Sequence, residues 1–335
     1  MNPPYTYNNL ISIENLFQAW EEFKKGKLKK KDVQKFYRNL EDNLFELHGK
    51  LKSKTYRHGS YEDFYVNDPK RRHIHKASVS DGIVHHLLYK YLYGIFDKTF
   101  IFDSYSCRLD KGTHKAVLRL EKFTRKVSKN YSGQCWALKC DIKKFFASVD
   151  HKILKKLIER KANDENIPWV IGEVIDSFQL GVKPLKGIPL GNLTSQIFAN
   201  IYLNELDQHI KHKLKIKYYL RYADDFIILD SDKEDLHRYP SILAVFLKNN
   251  LNLELHPKKI IFRKLNWGMD FLGYVVLPHY VLPRTKTKRR ILKKIKEKIN
   301  SDSFGQSLAS YLGYLSHVSA YKFFQELKNN LWIIT

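Results

Sequence analysis

Two adjacent aspartates, Asp224 and Asp225, interrupt an otherwise apolar and aromatic run over residues 219–229. An ionised carboxylate buried without a partner costs several kcal/mol, and two neighbours repel, so the pair must be protonated, solvated at a turn, or neutralised by a cation. A hairpin tip offers the last two, and a plain Asp-Asp turn would look the same. Asp141 ends a second apolar run, residues 136–142, so a third acid can join the pair at strand ends in one sheet. Oxygen-rich clusters with few protein ligands suit Mg²⁺, which keeps waters and takes substrate phosphates as its remaining ligands. Two such ions about 4 Å apart clamp the attacking 3′ oxygen and the leaving pyrophosphate of an in-line displacement. The chemistry implied is nucleotidyl transfer, with two Mg²⁺ ions, or Mn²⁺ in their place, as cofactors.

The remaining chemistry-bearing residues form no rival site. His73/His75, His85/His86 and His209/His212 lack a Cys or acid partner at zinc spacing. Cys107, Cys135 and Cys140 are odd in number and read as buried thiols of a reducing compartment. Lys and Arg number 59 against 35 Asp and Glu, a net charge of +24, which points to a polyanionic partner. The 43% hydrophobic and 14% aromatic content excludes disorder and a disulfide-stapled miniature. With no signal-like start and no apolar run of membrane length, a cytoplasmic protein without a membrane partner is expected.

Several elements must position the acids. Residues 10–52 read as helices with Gly26 as a break, residues 61–76 as short alternating segments, and 80–96 as a helix. A strand over 136–142 is followed by a capped helix over 150–160 and a long helix over 195–213. Strands over 217–222 and 226–229 are joined through Ala223-Asp224-Asp225; a helix near 241–249 and strands over 260–262 and 271–276 complete an α+β pattern. Beyond Pro283 the chain turns strongly basic. Aliphatics at 291, 292, 295 and 299 form one stripe, leaving Arg289, Arg290, Lys293 and Lys294 to face a template–primer backbone.

The box Tyr222-Ala223-Asp224-Asp225 resembles the catalytic box of reverse transcriptases, and the likeness runs in order through residues 70–275. Phe102-Asp103-Ser104-Tyr105-Ser106 with Arg108, Gly112 and His114 resembles the second block of the group II intron-like branch. Residues 141–151 resemble the third, Leu253-Glu254-Leu255 with Lys258-Lys259 the sixth, and Phe271-Leu272-Gly273-Tyr274 the seventh. The resemblance implies an α+β right-hand polymerase. It has an N-terminal helical extension (1–60), fingers (61–135 with part of 152–190), a palm with the catalytic acids (136–280) and a basic helical thumb (281–335). It further implies that Asp141 and Asp224 hold the metals, that Asp225 supports them, and that the carbonyl of Ile142 completes the shell. Phe146 would lie under the sugar and exclude a 2′-hydroxyl. Arg72, with Arg71 beside it, would meet the triphosphate, and Lys259 the primer or nucleotide.

Block four reads Gly187-Ile188-Pro189-Leu190-Gly191-Asn192-Leu193-Thr194-Ser195-Gln196. Most of the branch resembles a Pro-Gln-Gly…Ser-Pro pattern; here Leu190 replaces the glutamine and Gln196 the proline. With Gly191 and Ser195 these residues resemble the signature of diversity-generating retroelement reverse transcriptases. That family copies a template-repeat RNA into adenine-mutagenised cDNA for mutagenic retrohoming, with a small, basic, oligomeric accessory variability protein. The partners so implied are template RNA, the cDNA primer-product and that protein. The competing readings are a faithful group II intron-like or retron-like enzyme and a catalytically silent RNA-binding scaffold.

Overall fold

Apolar positions three and four apart account for most of the helices, and side chains cap a few of them. They are α1 (Tyr7–Leu10), α2 (Ile13–Phe23), α3 (Lys31–Arg38), α4 (Leu40–Lys52), α5 (Val79–Phe96), α6 (Thr113–Val127), α7 (Phe145–Ser148) and α8 (His151–Glu159). Then come α9 (Ile167–Asp176), α10 (Leu193–Gln208), α11 (Lys233–His237), α12 (Tyr239–Leu251), α13 (Thr285–Lys298), α14 (Phe304–Leu315) and α15 (Tyr321–Trp332). The strands are β1 (Glu62–Val66), β2 (Arg72–Lys76), β3 (Trp136–Asp141), β4 (Tyr219–Tyr222), β5 (Asp225–Asp230), β6 (Ile261–Lys264), β7 (Met269–Phe271), β8 (Tyr274–Leu277) and β9 (Tyr280–Pro283). This computed structural model describes residues 6–67, 70–162, 164–178 and 185–332. The chain is mixed α+β, and all its strand ladders are antiparallel.

Two units divide the chain. One draws on residues 1–101, 142–213 and 244–255, the other on 102–141, 214–243 and 256–335. In the first, Ser12 and Ser78 cap α2 and α5 by accepting from Asn15 N and Asp81 N. Gly26, at φ +69°, separates α2 from α3 as the sequence predicts. The β1–β2 hairpin pairs Glu62 with Lys76, and Asp150 caps α8 by accepting from the amides of Lys152 and Ile153. The long helix expected over 195–213 is α10 followed by a π-helical turn, His209–Lys213.

The second unit holds a four-stranded sheet in the order β4-β5-β3-β6 and a three-stranded sheet in the order β7-β8-β9. Helix α6 lays Ala116, Val117, Leu120, Phe123 and Val127 into one core with Leu220, Ile227, Leu229, Phe271 and Tyr274. The single strand expected over 271–276 is instead a hairpin. Leu272 and Gly273 both take positive φ, the geometry of a two-residue turn, so Phe271 pairs with Tyr274. Helices α13 to α15 close over Ile291, Ile295, Leu315, Phe323 and Leu327. Among the described residues no helix is long and apolar enough to cross a membrane.

Candidate active site

Strand register brings the three acids to one end of the second unit's sheet. Asp225 opens β5 and pairs with Tyr222 on one side and with Asp141 on the other, so it belongs to the strand, not to the connection. The hairpin tip is therefore only Ala223-Asp224. Ala223 takes φ +53° at the first tip position, where glycine is the inexpensive residue; a side chain there costs about 1–2 kcal/mol. The fully buried Arg221 braces this turn, donating from Nη1 to the Ala223 carbonyl at 3.0 Å and from Nη2 to Ser104 Oγ at 3.1 Å.

Each outer acid carries its own lysine. Lys139 Nζ is 3.1 Å from Asp225 Oδ2 and also donates to the Asp270 carbonyl at 3.2 Å; Lys259 Nζ is 2.8 Å from Asp141 Oδ1. Burial pushes the Asp225 carboxyl up to about 6 against the pull of Lys139, with Asp141 and Asp224 adding to the rise. Burial, then the charge of Asp141, raises Asp224 as well. The thiol of Cys140 is pushed up to about 12 by burial and then by the charges of Asp225 and Asp141. Asp225 Oδ1 is buried and accepts no hydrogen bond.

These features decide how well the site suits a divalent ion. The donor set is all carboxylate oxygen, the acids raise one another's affinity for positive charge, and one buried oxygen is unsatisfied: all three fit a hard cation. The side chains themselves are not gathered. Among the described residues no three His, Cys, Asp or Glu groups are close enough to hold an ion, since Lys139 and Lys259 draw Asp225 and Asp141 to separate partners. The strand register sets Asp141 beside Asp225 at one end of the sheet, near enough for the acids to act on one another's charge, and two of the carboxylates face lysines. Ile142 lies in the first unit, where it bridges Leu255.

The other candidate residues of the first unit are stitched together by backbone. Ile188 N donates to the Phe146 carbonyl and Gly187 N to the Val149 carbonyl, each at 2.8 Å. His75 N on β2 donates to the Leu190 carbonyl at 2.8 Å, and Asn192 Nδ2 to the His75 carbonyl at 2.9 Å. Gly191 cannot carry a side chain in this clamp: its φ is +117°, and a Cβ would stand 2.7 Å from Ile74 Cγ2. Phe145 is core, while Phe146 is half-buried, so only Phe146 has ring surface to offer. Arg72, at the head of β2, is exposed; the Arg71 guanidinium sits 4.2 Å over the Tyr65 ring. Ser195 is buried with its Oγ unpaired, and Gln196 is exposed beside a hollow of about 340 Å³.

On α13 of the second unit, Ile291 and Ile295 are buried and Arg289 is exposed. Arg290 is half-buried. Lys293 and Lys294 share Glu297 at 3.8 and 3.6 Å, surface pairs that contribute little. Sequence reasoning gave no role to Lys139 or Arg221. The signal was present: a cation inside each apolar run that ends in an acid.

Residues 67–276 match the family model described as reverse transcriptase (RNA-dependent DNA polymerase). The chain is 24% identical over 303 residues to the group II intron-encoded protein LtrA of Lactococcus lactis subsp. cremoris, covering 70% of this chain and 49% of that protein. It is 24% identical over 241 residues to protein YkfC of Escherichia coli (strain K12), covering 61% of this chain and 63% of that protein. It thus spans about half to two thirds of the length of these relatives.

Proposed function

The chain belongs to the reverse transcriptase family, and from that premise we propose that it is an RNA-directed DNA polymerase extending a cDNA primer along template RNA. The observation that supports the proposal is the register that sets Asp141 beside Asp225, the residue after Asp224, at one strand end, with a buried Asp225 oxygen left unsatisfied. In this reading those three acids hold Mg²⁺ or Mn²⁺, with the Ile142 carbonyl assisting. The ions supply charge compensation for the attacking 3′ oxygen and the departing pyrophosphate. Arg221 keeps the hairpin tip, and with it Asp224, in place. Lys139 and Lys259 restrain the outer acids as charged partners. Phe146 excludes the 2′-hydroxyl, Arg72 meets the triphosphate, and Arg289, Arg290, Lys293 and Lys294 follow the backbone of the duplex. Fingers, palm and thumb then take the boundaries read from the sequence.

The finer assignment is to the diversity-generating retroelement branch: error-prone copying at template adenines for mutagenic retrohoming, with a small basic accessory protein as partner. Leu190 and Gln196 support it. A glutamine beside the nascent pair can hydrogen-bond nucleotide or template, whereas an aliphatic side chain only fills space. The test is primer extension on an RNA template with Mg²⁺ and deoxynucleotides, followed by sequencing of the products, for the wild type and Asp224→Asn. Adenine-centred errors that vanish with all product in the variant are expected. Faithful products would leave a polymerase of another branch, and no extension by the wild type would leave an RNA-binding scaffold.

A further inference from the structure

Helix α6 carries a basic stripe that the polymerase reading does not use. Arg119, Lys122, Lys126 and Lys129 follow one another at spacings of three, four and three, and with Arg125 and Asn130 they line a hollow of about 470 Å³. The apolar face of α6 is committed to the core with Leu220, Ile227 and Leu229, so the stripe occupies the outer side of the helix. Arg119 is held by Asp103 at 2.7 Å; Lys122, Arg125, Lys126 and Lys129 are exposed, and none has a carboxylate partner among the described residues.

The end of the helix is built at a cost. Lys129, Asn130 and Tyr131 take φ of +50°, +61° and +68°, three consecutive left-handed residues without a glycine. Left-handed backbone is disfavoured for residues that carry a side chain, least so for asparagine. The turn is tied by Asn130 N to the Arg125 carbonyl at 2.7 Å and by Tyr131 N to Ser128 Oγ at 2.9 Å. Its product is the placement of the Asn130 side chain, whose Oδ1 accepts from Arg125 Nε at 2.8 Å. That bond fixes the guanidinium plane and leaves both terminal amino groups to a ligand.

We propose that this face of α6 is a docking site for the phosphate backbone of double-stranded RNA. The stripe is about 15 Å long, a stretch over which a duplex presents several phosphates on each strand. Single-stranded RNA is bound by stacking on aromatic platforms, and among the described residues no aromatic side chain lines this hollow. Duplex RNA is instead gripped through its backbone and shape, and RNA is the polyanion that the family's reaction brings to the chain. A folded element of the RNA, apart from the copied stretch, is the occupant.

The test compares the full-length wild type with a Lys122→Ala, Lys126→Ala, Lys129→Ala variant for binding to a blunt RNA duplex, a DNA duplex of the same sequence and oligo(U), across a salt series. The slope of log affinity for the RNA duplex against log salt should flatten by about 2.7, at about 0.9 per phosphate contact. Binding to oligo(U) and extension of a short unstructured template should stay unchanged. The matching triple Lys→Arg variant should restore duplex binding, and Asn130→Ala, which keeps every charge, should weaken it several-fold. An unchanged slope overturns the proposal. An equal loss on oligo(U) overturns it too, since the stripe would then serve the template path, and a DNA duplex bound as tightly as RNA overturns the choice of RNA. A thermal midpoint equal to that of the wild type certifies the fold of each variant.

Discussion

Replacing Asp225 by asparagine should make the metal-free protein more stable while abolishing polymerisation. The carboxyl of Asp225 is held at about 6 in the folded chain against 3.8 in the unfolded one. Because the folded value is the higher, the unfolded chain loses its proton first as the pH rises. Stability is therefore whole below 3.8 and is lost progressively between 3.8 and about 6, by about 3 kcal/mol once ionisation is complete. Asparagine removes that loss together with the repulsion from Asp141 and Asp224, but it leaves Lys139 with the Asp270 carbonyl as its remaining partner at 3.2 Å. A net gain of about 1–3 kcal/mol, a few degrees in Tm, is expected at neutral and mildly alkaline pH in the presence of a chelator. Differential scanning calorimetry of both proteins from pH 3.8 upward measures it. The reasoning is refuted if the variant melts at or below the wild type above pH 6, or if the two stability curves run parallel below it.

Leu190→Gln should restore a polar contact at the nascent pair without disturbing the loop, whose hold on β2 is through the Leu190 carbonyl and not its side chain. Misincorporation opposite template adenine should fall about fivefold, the equivalent of one hydrogen bond of about 1 kcal/mol, and an unchanged error frequency removes Leu190 from the fidelity mechanism. Gly191→Ala should destabilise the chain by about 1–3 kcal/mol in urea denaturation, and the further change Ile74→Ala should recover only the part due to the clash with Ile74 Cγ2. A neutral Gly191→Ala would mean that the clamp on β2 is not held in solution.

The acids were legible because charge is conspicuous at the ends of apolar strands. Their lysines are less so: Lys139 is marked only as a cation inside an apolar run that ends in an acid, and the resemblance points Lys259 to the primer or nucleotide and not to Asp141. Only the fold shows that Lys139 lies 3.1 Å from Asp225 and Lys259 2.8 Å from Asp141. Helix α6 went unread although Ala116, Leu120, Phe123 and Val127 carry the helical period; its charged residues masked the stripe. At Leu272-Gly273 the sequence predicts one strand, because apolar residues run on through the turn on both sides. The clamp of Leu190 on β2 joins positions more than a hundred residues apart through backbone atoms, which side-chain identity does not encode.

The peptide bond after Asp141 is one of five places where the chain leaves one unit for the other. A ribosome releases a chain from its N-terminal side onward, so the first unit cannot close until residue 255 has emerged. By then most of the sheet that carries the acids has also been delivered. The two halves must therefore mature together, and neither can be trimmed away as a contiguous fragment and keep its own core.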